Sequence, residues 1–425
     1  MKKLRKYIGA NIRDKVVIVR VDYNVPLKKE GAGLVIADDR RIRASLETIK
    51  ELHDHNAKII LLSHVGRPNN KPEPDLSLQP MAQHLQTLLD FPVKFVAESI
   101  GEPVLKAVAS LNPGEVLLLE NLRFHEGEKQ NDPHFAHLLA SLGQIYINDA
   151  FSTAHRAHAS TVGITQYLPS YAGKNLEKEV EALRKIKDEP DRPLVVVVGG
   201  AKISDKVDAI VNLSKVADVV LTGGGIANTF LKAQGLEIHQ SYVQDAPADL
   251  KKKGIDYIHV AQDLLERTRT EHVWFKEYIP LPKILYPLDV IAAKSMDAPE
   301  TQIIDLTHAM EDSHQDKSLM YLDIGPKTRQ LYKEVLSMAK TIFWNGPMGV
   351  FEKPAFSAGT QAIAQAIASN SGTTILGGGD TMASIEGLDL EDKFSYISSA
   401  GGAALEFLAG KELPGLKPLI VQPEA

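Results

Sequence analysis

Four short apolar runs in the first half of the chain end in residues suited to holding an anion. Val16–Val21 leads into Asp22-Tyr23-Asn24-Val25-Pro26, and Lys58–Leu62 into Ser63-His64-Val65-Gly66-Arg67-Pro68. Val116–Leu119 leads into Glu120-Asn121-Leu122-Arg123-Phe124-His125, and Ile145–Ile147 into Asn148-Asp149-Ala150-Phe151 and then Ala154-His155-Arg156-Ala157-His158. The last three segments each carry an arginine and a histidine, and Arg40, Arg41 and Arg43 open the first long helical stretch. A single arginine after a strand is usually a solvated surface residue; recurrence at equivalent positions points to a shared purpose. Guanidinium groups grip carboxylate and phosphate oxygens bidentately, so the set reads as a site for a small, multiply charged anion. Asp22 and Asn24 stand two apart, on one side of an extended segment, and can accept from a substrate hydroxyl; the alternative for Asp22 is an ion pair with one of the arginines. His64, His125, His155 and His158 read as hydrogen-bonded residues of the same rim rather than as general bases.

The second half carries glycine at the corresponding places. Leu194–Val198 is followed by Gly199-Gly200-Ala201-Lys202, Val219–Leu221 by Thr222-Gly223-Gly224-Gly225, and Met320–Leu322 by Asp323-Ile324-Gly325-Pro326-Lys327. Phe343 is followed by Trp344-Asn345-Gly346-Pro347-Met348-Gly349, and Thr373–Leu376 by Gly377-Gly378-Gly379-Asp380-Thr381. Glycine admits close approach of a ligand to the backbone, and such a turn opening a helix offers free N–H groups and a positive dipole end to phosphate. With Lys202 and Lys206 alongside, the set points to a polyphosphate or nucleotide. Asp380 suits a magnesium ion, which takes one or two carboxylates plus phosphate oxygens, and it suits a helix N-cap equally. A P-loop is absent, the dinucleotide fingerprint fails from both Gly223 and Gly377, and there is neither a His-Arg-Asp loop nor a His-Glu-x-x-His pair.

Residues of this kind must be positioned by strands and helices in alternation. Continuous apolar runs separated by segments of helical period, such as Ala44–His53, predict parallel sheets covered on both faces, the α/β class. The pattern runs twice. We expect two doubly wound, Rossmann-like domains: 1–173, a helical linker with a hinge over 174–190 in which Asn175 caps the helix, and 191–404, with the proline-containing tail 405–425 packing back on the first domain. The alternative is one large sheet with an additional crossover helix. The 425 residues suffice for two cores. Lysine plus arginine total 48 and aspartate plus glutamate 54, a net charge of −6, which gives no bulk reason to hold nucleic acid or an anionic membrane. There is no cysteine, hence no thiolate metal site and no cysteine nucleophile. No apolar run approaches the ~20 residues of a bilayer span, and the basic N-terminus lacks a signal-peptide core, so a cytoplasmic protein is expected.

Taken in order, Arg20-Val-Asp-Tyr-Asn-Val-Pro26, Ser63-His-Val-Gly-Arg-Pro68, Leu119-Glu-Asn-Leu-Arg-Phe124, Asn148-Asp-Ala-Phe151, Ala154-His-Arg-Ala-His158, Gly199-Gly-Ala-Lys-Ile-Ser-Asp-Lys206, Trp344-Asn-Gly-Pro-Met-Gly-Val-Phe-Glu352 and Gly377-Gly-Gly-Asp-Thr381 resemble the signature blocks of the phosphoglycerate kinases, across essentially the whole chain. The resemblance implies reversible phosphoryl transfer between 1,3-bisphosphoglycerate and MgADP, giving 3-phosphoglycerate and MgATP, by a monomer whose lobes close about a hinge. It implies that Asp22, Asn24, Arg41, His64, Arg67, Arg123 and Arg156 surround 3-phosphoglycerate. It assigns Lys202, Lys206, Gly223, Gly224, Asn345, Glu352, Gly378, Gly379, Asp380 and Thr381 to the nucleotide, with Glu352 at the ribose and Asp380 near Mg2+. Arg41, Lys202, Gly378 and Gly379 are the catalytic set implied. The alternative is a catalytically silent nucleotide-binding scaffold of the same fold. The chain departs from the family pattern at Ser399, Ala400 and Tyr396, where threonine, glycine and often histidine are usual, and at Tyr23, where phenylalanine is common.

Overall fold

The computed structural model of the chain describes residues 4–7, 11–31, 33–204, 206–244, 256–275, 279–307 and 316–421. The chain divides into two units, one of Met1–Glu181 with Glu412–Ala425 and one of Ala182–Lys411. Each has its own six-stranded sheet, so a single large sheet is excluded.

The first sheet has the strand order Val93–Val96, Val116–Leu119, Lys58–Leu62, Val16–Arg20, Ile145–Asn148 and Ser170–Ala172. Every pairing in it is parallel. The central strands are apolar throughout because both faces are covered. Val17, Val19, Ile59, Leu61 and Leu118 belong to one core cluster. Ile18, Ile60, Leu62, Leu117 and Leu119 belong to the other, which is the period of two expected of a pleated strand. Edge strand Val93–Val96 is only half-buried and contains a lysine, so its run is too short and mixed to stand out in the sequence. Leu27–Glu30 and Gly33–Ile36 form a separate antiparallel hairpin.

The second sheet has the order Ile284–Leu285, Val219–Thr222, Leu194–Val198, Thr341–Asn345, Thr373–Gly377 and Tyr396–Ser398, again wholly parallel. Met320–Ile324 is not part of it. That strand pairs antiparallel with Asp289–Ala293, which also pairs with Gln302–Asp305. The Gly325 turn therefore follows a strand of a different sheet, which corrects the expectation of five equivalent glycine turns.

Gly325 has another reason to be glycine. A Cβ there would lie 2.2 Å from Cγ of the buried Asp289. The Asp289 carboxylate accepts from the amides of Lys327 and Thr328 at 3.0 and 2.8 Å and so caps the helix Pro326–Met338. The same device starts the helix Lys174–Lys187. Its cap is Asp149, not Asn175: Asp149 Oδ1 accepts from the amides of Asn175 and Leu176 at 2.9 and 3.2 Å, while a Cβ on Gly173 would lie 2.2 Å from that same oxygen. Asp323 repeats it a third time, accepting from the Gly359 amide at 2.7 Å.

The helix Gly401–Leu408 stays with the second unit. Asn212 Nδ2 donates to Ala409 O at 2.7 Å and Lys411 pairs with Asp208 at 2.8 Å. The returning segment begins at Glu412 rather than at 405, and the Gly415 amide donates to Ala154 O at 2.8 Å. Residues 422–425 of the expected tail lie outside the described residues. At the departure Ala400, φ is −105°, so no left-handed geometry demands the glycine that is usual there.

Two expectations follow from the caps. Gly325→Ala must displace a buried, bonded carboxylate and should cost ~1–3 kcal/mol of stability, read by denaturant unfolding. Burial pushes Asp149 and Asp323 each up to about 7. A carboxyl whose folded pKa exceeds its unfolded value holds a proton that the unfolded chain releases, so its contribution is full below about pH 4 and is lost as pH rises through about 7. The thermal midpoint should fall across that window, and Asp149→Asn should flatten part of the slope.

Candidate functional site

In the first unit the strand ends that bear Asp22, His64, Arg123 and Arg156 belong to four adjacent parallel strands, so their loops share one rim. Asp22 is buried there. Its Oδ2 accepts from Arg41 Nη1 at 2.8 Å and from the Ser152 hydroxyl, so Asp22 does form an ion pair with one of the arginines. Asp22 Oδ1 takes the Asn24 amide at 3.1 Å, and Asn24 Oδ1 takes the Gly66 amide at 2.9 Å. Arg123 Nη1 donates to Gly66 O at 2.6 Å. Asn121 holds this turn, accepting from the Arg123 amide at 3.1 Å and donating to Val65 O and Leu76 O. Of the three arginines that open the first helix only Arg41 turns to the rim: Arg40 pairs with Asp38 and Arg43 with Asp39. Arg67 and Arg156 are exposed, and Arg156 Nε donates to His155 Nε2 at 3.1 Å.

The electrostatics of this rim favour an incoming anion. Burial, then repulsion from Arg20 and Arg156, pulls the Arg123 guanidinium down to about 10. Burial and the neighbouring Arg20 and Arg123 hold His64 well below the usual imidazole value, and burial with Arg156 brings His155 to about 4. Cations that depress one another are relieved by an anion among them.

In the second unit the glycine turns divide into two kinds. Most are glycine because loops interlock. A Cβ on Gly199 would lie 2.0 Å from Pro347 O, one on Gly223 2.6 Å from Met348 Sδ, and Gly224, at φ +60°, would meet Gly200 O at 2.9 Å. The helix Gly224–Ala233 has its first amides satisfied: Gly224 N donates to Met348 O and Ile226 N to Gly200 O. The helix Pro326–Met338 is capped by Asp289. The helix Gly379–Ile385 differs. It starts after Gly378 at φ +97°, and among the described residues no carbonyl or carboxylate from another loop meets the Gly379 and Asp380 amides. A Cβ built on Gly379 has nothing within 4 Å. Packing does not require glycine at 379, whereas backbone approach by a phosphate does.

Neighbouring side chains brace this turn. The Thr381 hydroxyl donates to Gly377 O and accepts from the Gly346 amide, both at 2.7 Å. Asn345 Nδ2 donates to the same Gly377 O at 2.7 Å. Lys206 Nζ donates to Gly199 O at 2.7 Å and Asn345 O at 3.3 Å. Lys202, Glu352, Gly379 and Asp380 are exposed. Among the described residues no group of three or more His, Asp or Glu side chains is placed to hold a metal.

The sequence reading missed Arg20, Ser152, Ser160 and Glu128. Arg20 had a detectable signal: it is the one charge in the apolar run Val16–Val21, and a charge inside a central strand requires buried partners.

An arginine-lined rim on one parallel α/β unit and a phosphate-type helix start on another define a nucleotide-dependent phosphotransferase. The phosphoglycerate kinase family model matches residues 8–411. The phosphoglycerate kinase of Pseudothermotoga lettingae is 46% identical over 410 residues, covering 96% of each chain. That of Moorella thermoacetica is 47% identical over 408 residues, covering 96% of this chain and 97% of its own. The solved structure of phosphoglycerate kinase from Coxiella burnetii superposes with a TM-score of 0.81 at 38% identity, over 98% of this chain and 99% of that one. The chain belongs to the phosphoglycerate kinase family. Its activity is that of a glycolytic phosphotransferase with a carboxyl group as acceptor, and no observation favours a silent scaffold. No helix among the described residues is long and apolar enough to cross a membrane.

The two kinds of glycine predict different failures. Gly379→Ala should fold with an unchanged melting temperature and raise KM for the nucleotide. Gly224→Ala, which forces a Cβ onto Gly200 at positive φ, should lower the melting temperature. Thermal unfolding and steady-state kinetics on the two variants separate the cases.

Proposed function

We propose that the first unit binds 3-phosphoglycerate or 1,3-bisphosphoglycerate and the second binds MgADP or MgATP, in a monomeric cytoplasmic enzyme. The observation that carries the nucleotide assignment is the Gly379–Ile385 helix start, whose first amides meet no other loop and whose first residue has open space where a side chain would be. Gly378 and Gly379 cradle phosphate, with Lys202 and Lys206 supplying positive charge and Glu352 reaching the ribose. Thr381, Asn345, Gly223 and Gly224 serve the nucleotide by fixing the shape of the turns. Asp380 would hold the magnesium ion that arrives with the nucleotide, and the ion would offset the charge of the phosphate oxygens.

On the acid side, Arg123, Arg67, Arg156 and His64 hold the anionic groups. Asn24 and Asp22 orient the hydroxyl, and Asp22 also aims Arg41. In the ATP-consuming direction the nucleophile is a carboxylate, already ionised at neutral pH with an ordinary pKa near ~4. No general base is needed, which suits a rim where burial and neighbouring arginines hold His64 and His155 below the usual imidazole value. The barrier is repulsion between two anions, so positioning and charge stabilisation are the work required. Arg41 and Lys202 are assigned to the transferring phosphoryl group.

The test is transfer from ATP to 3-phosphoglycerate, coupled to reduction of the acyl phosphate and followed by loss of NADH. Turnover should require both substrates, vanish with a chelator and return with Mg2+. Arg41→Ala should lower kcat by roughly 10²-fold or more, while Arg67→Ala should mainly raise KM for 3-phosphoglycerate. Equal effects confined to KM in both variants would overturn the role assignment.

A further inference from the structure

Arg20 ends the central strand of the first sheet and is 1% exposed, yet the reading of the site gives it no task. Its contacts are directional. Nε donates to Ser160 Oγ at 2.9 Å, Nη1 donates to Val21 O, and Nη2 lies 3.0 Å from His64 Nδ1. Ser160 Oγ in turn donates to Glu128 Oε1 at 2.7 Å, and the Ser160 amide donates to Glu128 Oε2 at 3.0 Å. Glu128 is wholly buried.

Every proton in this chain has one possible place. A guanidinium only donates and an ionised carboxylate only accepts. The Ser160 hydroxyl, one donor with acceptor lone pairs, must therefore receive from Arg20 and give to Glu128. At the other end His64 Nδ1 must accept, because Arg20 has no lone pair to offer. An imidazole that accepts at Nδ1 is neutral and carries its proton on Nε2. We propose that Arg20, anchored through Ser160 to Glu128, is a positioning residue that locks His64 as an uncharged Nε2–H donor toward the anionic substrate. The groups facing His64 agree: Arg20, Arg123, His158 and Arg41 are basic and oppose a further proton. Glu128 answers the buried Arg20 charge, with His158 Nδ1 3.6 Å from its Oε1. His64 then adds a hydrogen bond to the anion without adding to the repulsion among the arginines.

The proposal rests on the placement of His64 in the acid-substrate site, and the experiment separates the two. In a long-range proton–nitrogen spectrum of the folded, ligand-free protein labelled at histidine nitrogen, His64 should show the neutral Nε2–H pattern unchanged from about pH 5.5 to about pH 8.5. In Ser160→Ala, which frees the Arg20 head, the Nδ1–H tautomer should appear. There KM for 3-phosphoglycerate should rise roughly three- to tenfold while KM for the nucleotide is unmoved. A wild-type His64 that titrates in this range, or that carries its proton on Nδ1, overturns the relay. An unchanged KM for 3-phosphoglycerate in His64→Ala overturns the site placement and the proposal with it, whatever the spectrum shows.

Discussion

Parallel pairing of Val16–Arg20 with Lys58–Leu62 on one side and Ile145–Asn148 on the other is the constraint on which the first unit depends. Parallel strands leave all their carboxyl ends at one edge of the sheet, where ligands of open α/β folds bind. Residues remote in sequence, Asp22, His64, Arg123 and Arg156, thus become neighbours without any loop having to reach far. The same pairing forces Arg20 into the interior, since the strand that carries it is covered on both faces. A buried guanidinium is tolerable only when its donors are satisfied and its charge is answered; Val21 O, Ser160 and Glu128 meet that demand.

On the proposed assignment, the second unit meets a different electrostatic problem with the backbone. A polyphosphate presents many oxygens along its length, and amides at a helix start address them with little side-chain entropy to lose. Such a turn must be rigid to be pre-organised. Thr381 and Asn345 supply the rigidity by converging on Gly377 O, so that two strand-end loops share one set of hydrogen bonds. Glycine serves two ends here. At Gly199, Gly223 and Gly224 it lets loops touch one another, and at Gly379 it leaves room beside the backbone.

That distinction marks the limit of what the sequence discloses. The α/β class, the doubled pattern and the arginine rim are legible because apolar runs and post-strand residues are local features. Asp22 could be read only as an acceptor or an ion-pair partner, since identifying its partner requires knowing that Arg41 lies 2.8 Å away. Met320–Ile324 looked like one more parallel strand because an apolar run does not reveal the direction of its partner. The caps of the helices Lys174–Lys187 and Pro326–Met338 were hidden for a related reason. Each is a carboxylate from a distant strand, Asp149 or Asp289, while the helix itself opens with residues such as Asn175 that mimic a local cap. Only the glycine beside each, Gly173 and Gly325, records the intrusion in sequence, and glycine has many other reasons to be present.

The chain as a whole is negative by six charges, although the rim proposed to hold the acid substrate is a cluster of cations. Local fields therefore do the recruiting, and they must not become so positive that the rim repels itself apart. Burial, then repulsion from Arg20 and Arg156, already pushes the Arg123 guanidinium down to about 10. An imidazolium at His64 would add a further unit charge beside two guanidiniums in a poorly hydrated place, where charge interactions are strong. A carboxylate nucleophile asks for no proton to be removed, so nothing in the chemistry compensates for that addition. Keeping the histidine neutral and pointing its one N–H outward gives the anion an additional partner at no electrostatic cost, and the Glu128–Ser160–Arg20 chain beneath is a means of enforcing that choice.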